Sequence, residues 1–181
     1  MKLARLILRW CGWQLIEPAS YPQQSVICVA PHTSNMDFIW GKLYYWAVGQ
    51  RAHFLMKKEL FVPPLGWIFK AMGGIPIDRS RKGNTVGQVV DRFRAKDDFA
   101  VAITPEGSRK ARDRWKTGFY HIAEEAGVPI QLAVIDYKRK VLGIFEQFVP
   151  TGDLDKDIHY IRSKYHADQA KKPDFFSEQA Q

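Results

Sequence analysis

Short apolar runs, several of them rich in β-branched residues, return along this chain: SVICVA (25–30), AHFLMK (52–57), IPI (75–77), FAVAITP (99–105) and VPIQLAVI (128–135). Between them lie longer stretches whose apolar residues repeat at helical spacing, at 36–49, 63–74, 85–96 and 116–127. Strands that alternate with helices pack as a sheet covered by those helices. The order therefore predicts an α/β fold in a single domain, with a mostly parallel or mixed central sheet flanked by helices. A last strand is expected within 137–149, a polar helix over 153–169, and a flexible tail from 171 to 181.

Composition supports one domain: 181 residues with 46% hydrophobic content supply one core of ordinary size. No run reaches the roughly 18 to 20 apolar residues that a membrane-spanning helix needs. The formal charge of +8 favours anionic partners without choosing among nucleic acid, acidic headgroups and phosphorylated small molecules. Cys11 and Cys28 stand singly in apolar surroundings, with neither zinc nor disulfide spacing, and read as buried thiols in a reducing, cytoplasmic setting. The opening MKLARLILRWCGWQLI is unlike a signal peptide, because Arg5 and Arg9 interrupt it and no small-residue cleavage site follows.

Those arginines share a helix side with Lys2, whereas Leu3, Leu6, Ile7, Trp10 and Trp13 line the other. Residues 1–16 thus read as a basic amphipathic helix suited to a membrane surface. The competing reading packs the same stripe on the protein's own core. Residues 17–170 form the remaining domain in either case.

In an α/β fold, polar residues just past strand ends are where sites form. Three segments qualify: PHTSNMD (31–37), GGIPIDRSRK (73–82) and TPEGSRKARDRWK (104–116). The last two gather Arg79, Arg81, Lys82, Arg109, Arg112 and further basic residues, which suits phosphate. Ser34 and Asp37 form an acidic variant of a capping box, with Asp37 in the first helical turn and His32 in the loop before it.

In these segments the chain resembles the lysophospholipid or glycerolipid acyltransferase family, in particular 1-acyl-sn-glycerol-3-phosphate acyltransferases. The family's histidine, four residues, aspartate hallmark is matched by His32 to Asp37, its second block by GGIPIDR (73–79), its third by TPEGSR (104–109) and its fourth by Val128-Pro129-Ile130. Thr104 stands where many relatives have an aromatic residue, and Gln131 where a further apolar stretch is common.

The resemblance implies a glycerol-3-phosphate acyltransferase-like fold and transfer of a fatty acyl group from a thioester to the hydroxyl of a lysophospholipid, with 1-acyl-sn-glycerol 3-phosphate as the leading acceptor. It implies no bound cofactor and no metal, with acyl-CoA or acyl-carrier protein as co-substrate. It also implies a peripheral or monotopic place on the cytoplasmic face of an anionic membrane. No nucleic acid is expected as partner, because the basic residues are not interleaved with an exposed aromatic array and no recognition motif is present. His32 is the expected base and Asp37 its orienting carboxylate, the catalytic pair. The expected substrate-binding residues are Arg79 and Arg109 for phosphate, Glu106 for an acceptor hydroxyl or for holding an arginine, and Gly107 for close backbone approach or a positive φ.

Blander readings stand beside these. His32 and Asp37 could merely cap a helix, and Arg79 could pair with Asp78 or Asp91. The acceptor could be another lipid or hydroxyl compound, or the chain could be a membrane-surface lipid-binding protein without turnover. A metal hydrolase would need His53, His121, His159 or His166 to converge with His32, and their spacing carries no ligand pattern.

Overall fold

The computed structural model describes residues 1–78, 85–109 and 114–176. The chain runs α1 (Lys2–Trp10), β1 (Gln14–Ile16), β2 (Gln24–Val29), α2 (Met36–Val48), β3 (His53–Lys57), a 3-10 turn (Lys58–Leu60), α3 (Leu65–Ala71) and β4 (Gly74–Ile77). It continues with α4 (Thr85–Arg94), β5 (Phe99–Ile103), α5 (Gly118–Ala126), β6 (Ile130–Asp136), β7 (Val141–Phe148), α6 (Leu154–Ser163) and two short 3-10 turns.

The strands form one seven-stranded sheet in the order β1-β7-β6-β2-β5-β3-β4. From β6 to β4 all neighbours are parallel, while β7 pairs antiparallel with β6 and β1 pairs parallel with β7. This is the mixed sheet expected, and β6 shows why it is so apolar: all seven of its residues are buried, as a central strand covered on both faces requires. One face packs Val89, Val90 and Phe93 of α4, Phe119 and Ile122 of α5, and Ile161 of α6 against Val26 and Cys28. The other packs α1 and α2, through Leu8, Tyr44, Tyr45 and Val48, against Ile27, Ile135 and Ile144.

Four expectations are corrected. Residues 14–16, read as the end of the first helix, form β1 beside β7, because Cys11 and Gly12 close α1 and the last strand offers an unpaired edge. Trp13, read as part of the first helix's apolar stripe, falls outside α1 and is buried at 5.3 Å from both the Trp40 and Tyr137 rings. Cys11, expected to be buried, is exposed; Cys28 is buried, and that burial pushes its thiol pKa up. The polar terminal helix stops at Ser163, and residues 171–176 are no loose tail: Lys172 N donates to Thr33 Oγ1 at 3.2 Å and Phe176 joins the core. The rest of that expected tail, 177–181, lies outside the described residues.

Candidate active site

Parallel strands send all their C-terminal ends to one edge of the sheet, and the loops of one such sheet therefore meet there. β2, at the centre, leads into His32. Its neighbour β5 leads into Glu106, and its other neighbour β6 leads into Tyr137. Three residues far apart in sequence are thus delivered side by side.

His32 Nδ1 lies 3.1 Å from Asp37 Oδ2, with the imidazole 21% exposed and the carboxylate side chain 2% exposed. The same Oδ2 accepts the backbone N–H groups of Thr33 at 3.0 Å and Ser34 at 2.9 Å. The other oxygen, Oδ1, accepts the Tyr137 hydroxyl at 2.6 Å. Burial alone would raise the Asp37 pKa, but the hydrogen bonds from His32, Tyr137 and Ser34 outweigh it and hold the carboxyl below its ordinary value. Both oxygens are engaged, so an ionised Asp37 fixes the imidazole with its proton on Nδ1 and leaves Nε2 as the acceptor.

The acidic capping box takes a modified form. The helix starts at Met36 with Asn35 at the cap; Ser34 Oγ takes the Met36 N–H at 3.2 Å, and Asp37 reaches back to the loop amides. The capping role and the histidine-orienting role, alternatives in the sequence, coexist in one carboxylate.

Glu106 is buried and accepts the His32 backbone N–H on Oε1 at 2.6 Å, while its Oε2 is buried without a partner among the described residues. Burial pushes its pKa up to about 7, against the lowering effect of the His32 backbone bond. A neutral carboxyl suits that environment, since ionisation would place charge on a buried oxygen. Gly107 follows with φ +65°, and a β-carbon there would lie 2.8 Å from the Lys116 side chain. Arg109, on the same loop, is exposed. Arg79 lies outside the described residues. Of the partners its salt-bridge alternative offered, Asp78 takes Lys58 Nζ at 2.6 Å and Asp91 lies 3.7 Å from Arg94.

Tyr137 is the site residue that sequence reasoning did not find. It stands 100 positions from Asp37 in a turn whose composition, YKRK, signals only a solvated loop. Burial, and then its bond to Asp37, drive its own pKa upward, so it serves as a donor. Among the described residues, no group of three or more His, Cys, Asp or Glu is arranged to hold a metal ion.

Fold and site define an α/β protein with a buried, donor-saturated carboxylate orienting a partly exposed histidine at the carboxyl edge of its sheet. The family model described as Acyltransferase matches residues 15–136, and the chain belongs to that family. It is 36% identical over 117 residues to the 1-acyl-sn-glycerol-3-phosphate acyltransferase of Escherichia coli K12, covering 59% of this chain and 44% of that one. It is 30% identical over 111 residues to the protein of the same name from Haemophilus influenzae, covering 58% and 45%. The match to lysophosphatidylcholine acyltransferase of Drosophila melanogaster is 30% over 129 residues, 67% of this chain and 23% of that one. The chain therefore spans less than half the length of these curated relatives. The crystal structure of the 1-acyl-sn-glycerophosphate acyltransferase PlsC from Thermotoga maritima has the same fold, with a TM-score of 0.61 at 18% identity over 90% of this chain and 73% of that one.

Proposed function

We propose that this chain transfers a fatty acyl group from an acyl thioester to the free hydroxyl of a lysophospholipid, with 1-acyl-sn-glycerol 3-phosphate as acceptor and phosphatidic acid as product. The observation that carries the chemistry is the His32–Asp37 pair, whose hydrogen bonds leave Nε2 free to accept a proton. The acceptor is inferred from the relatives of that name.

In this reading the acceptor oxygen attacks the thioester carbonyl carbon as His32 Nε2 takes the hydroxyl proton. The imidazolium so formed is stabilised by Asp37. The tetrahedral intermediate then expels the thiolate, which receives the proton from His32, so that ester and free thiol leave and the imidazole is regenerated. No protein nucleophile is required. Glu106 fixes the backbone of the base through the His32 amide. Arg109 and Arg79 are assigned to the acceptor phosphate, the latter on its motif alone. Acyl-CoA or an acyl-carrier protein supplies the acyl group.

A lipid acceptor requires access to an interface. No helix among the described residues is long and apolar enough to cross a membrane. α1 divides its residues in the way a surface helix needs: Ala4 and Leu8 enter the core, while Leu3, Leu6 and Trp10 face outward, Trp10 with 87% exposure. Both readings of the amphipathic stripe thus find residues to support them. Arg5, itself exposed, is committed to the protein, donating to Ala47 O at 3.0 Å and Glu17 at 2.8 Å, and Lys2 and Arg9 are further exposed cations of α1. We assign α1 to peripheral contact with an anionic membrane on the cytoplasmic face.

The test is to incubate the purified chain with a panel of lysophospholipids and glycerol 3-phosphate, each with acyl-CoA or acyl-carrier-protein donors, and to identify products by mass spectrometry. Phosphatidic acid as the dominant product supports the reading. A product from a different acceptor replaces the substrate, and no ester with any pair favours a lipid-binding protein without turnover.

A further inference from the structure

The segment that follows β3 has an unusual distribution of side chains. Leu60, Val62, Leu65, Trp67 and Ile68 are all exposed within nine residues, Trp67 at 67%. Of the residues of α3 only Gly66 is buried, and it is buried against backbone: a β-carbon there would lie 2.5 Å from the Phe61 carbonyl. The helix is therefore held by the close approach of a glycine and by the Phe61–Phe69 ring contact at 6.1 Å, with its large apolar side chains turned away from the protein. A short helix in water gains its stability by burying its apolar side. This one buries its smallest side chain and leaves the apolar payload in solvent.

Charge frames the patch. Lys57 and Lys70 flank it as exposed cations, whereas Lys58 is paired with Asp78 at 2.6 Å and Glu59 is the neighbouring acid. The helix α2, tied to the end of α3, exposes apolar side chains of its own. Lys42 of α2 donates to the Met72 carbonyl, at the α3 C-cap, at 2.7 Å. α2 exposes Ile39 and Trp46, which are seven positions apart and so share one helix face, and α1 packs on α2. An apolar centre with a basic rim is complementary to an anionic bilayer surface, where aliphatic and indole side chains enter the headgroup–acyl boundary and lysines meet phosphates.

We infer that the segment from Leu60 to Ile68 is a second seat on an anionic bilayer, separate from α1. Leu65, Trp67 and Ile68 enter the lipid, and β3 ties that seat to the edge of the sheet that carries His32. The inference deepens the lipid-acceptor reading and rests on it for its purpose, though not for its physics.

The experiment uses the full chain and vesicles of phosphatidylcholine with phosphatidylglycerol. The triple variant Leu65→Ser, Trp67→Ser, Ile68→Ser should lose about tenfold or more of its vesicle co-sedimentation while its melting temperature in buffer stays near the wild-type value. Brominated lipids should quench wild-type tryptophan emission more than that of Trp67→Phe, a change mild enough to keep the fold. Acyl transfer to vesicle-borne acceptor should fall with binding, whereas transfer to a short-chain, monodisperse acceptor should not. Unchanged sedimentation of the triple variant, or equal quenching of wild type and Trp67→Phe, would overturn the inference. So would a wild-type dimer that the triple variant converts to a monomer in analytical ultracentrifugation, because the patch would then be covered by a second copy. Patch-dependent vesicle binding by a chain that acylates no acceptor would leave this seat standing and remove the acyltransferase reading instead.

Discussion

The loops after β2 and after β3 leave the same edge of the same sheet and handle their side chains in opposite ways. The first turns a carboxylate inward and saturates it, with four donors from His32, Thr33, Ser34 and Tyr137 on Asp37. The second turns its apolar side chains outward and leaves them uncovered. A buried charge is tolerated only when its hydrogen bonds are complete, and that completeness fixes geometry. Exposed apolar surface is tolerated when something other than water covers it during work. The contrast separates a part built to hold atoms still from a part built to meet a partner.

The sharpest way to break that contrast is His32→Ala. If the loop after β2 exists for proton transfer, turnover should fall by about 10²- to 10⁴-fold with little change in thermal unfolding, because the imidazole is partly exposed and packs little. Near wild-type turnover at saturating substrate would reduce the loop to a helix cap.

Glu106 should reveal itself through pH. Its carboxyl is raised from an ordinary 4.5 to about 7. Between those values the folded chain holds a proton that the unfolded chain has released, so this residue's contribution to stability is lost as pH rises through that window. Glu106→Gln stays neutral throughout. Its unfolding free energy relative to wild type should therefore rise by up to about 3 kcal/mol from about pH 4.5 to about pH 8, read from urea titrations. A difference independent of pH would mean that the carboxyl beside the His32 amide is ionised in both states.

Tyr137→Phe sharpens the claim that saturation matters. Loss of one hydrogen bond to a charged group is worth about 1.5 to 3 kcal/mol. The expected result is a fall of about ten- to a hundredfold in kcat with the acceptor KM nearly unchanged, since the hydroxyl touches Asp37 and lies behind the base. An effect confined to KM would move Tyr137 from orienting the pair to lining the acceptor site.

The smallest effect is expected on the other side of the comparison. Leu65→Ser in lipid-free buffer should shift stability by less than about 0.5 kcal/mol, because the side chain is exposed in water. A cost of several kcal/mol would show that α3 packs against the protein in solution. In α1 the same logic selects Leu3→Ser with Trp10→Ser over deletion of residues 1–14, because deletion would also strip Leu8 and Trp13 from the core.

Much of this molecule could be read along the chain. The strands β2 to β6 and the helices between them follow from local apolar patterning, and His32 and Asp37 lie five positions apart, so their partnership needs only a strand end and a helix start. Glu106 and Gly107 were found by motif, although the bond from the His32 amide to Glu106 spans 74 positions and no local pattern encodes it. β1 escaped notice because three residues, QLI, become a strand only when β7 presents an edge to them. Trp13 misled for a related reason: helical spacing placed it with Trp10, but α1 ends before it and the chain turns it under Trp40 and Tyr137.

What the sequence by itself determined was the alternation that makes a parallel sheet, the pair able to move a proton, and the positions of the amphipathic stripes. Those properties depend on residues within a turn or a strand of one another. Only the tertiary structure decided which half of each stripe faces the core, that Tyr137 completes the Asp37 carboxylate, that Glu106 is buried deeply enough to hold its proton near neutrality, and that α3 carries its apolar side outward. Each of these turns on which strands become neighbours in the sheet, and that neighbourhood is a sum of many weak long-range packing terms that no single segment contains.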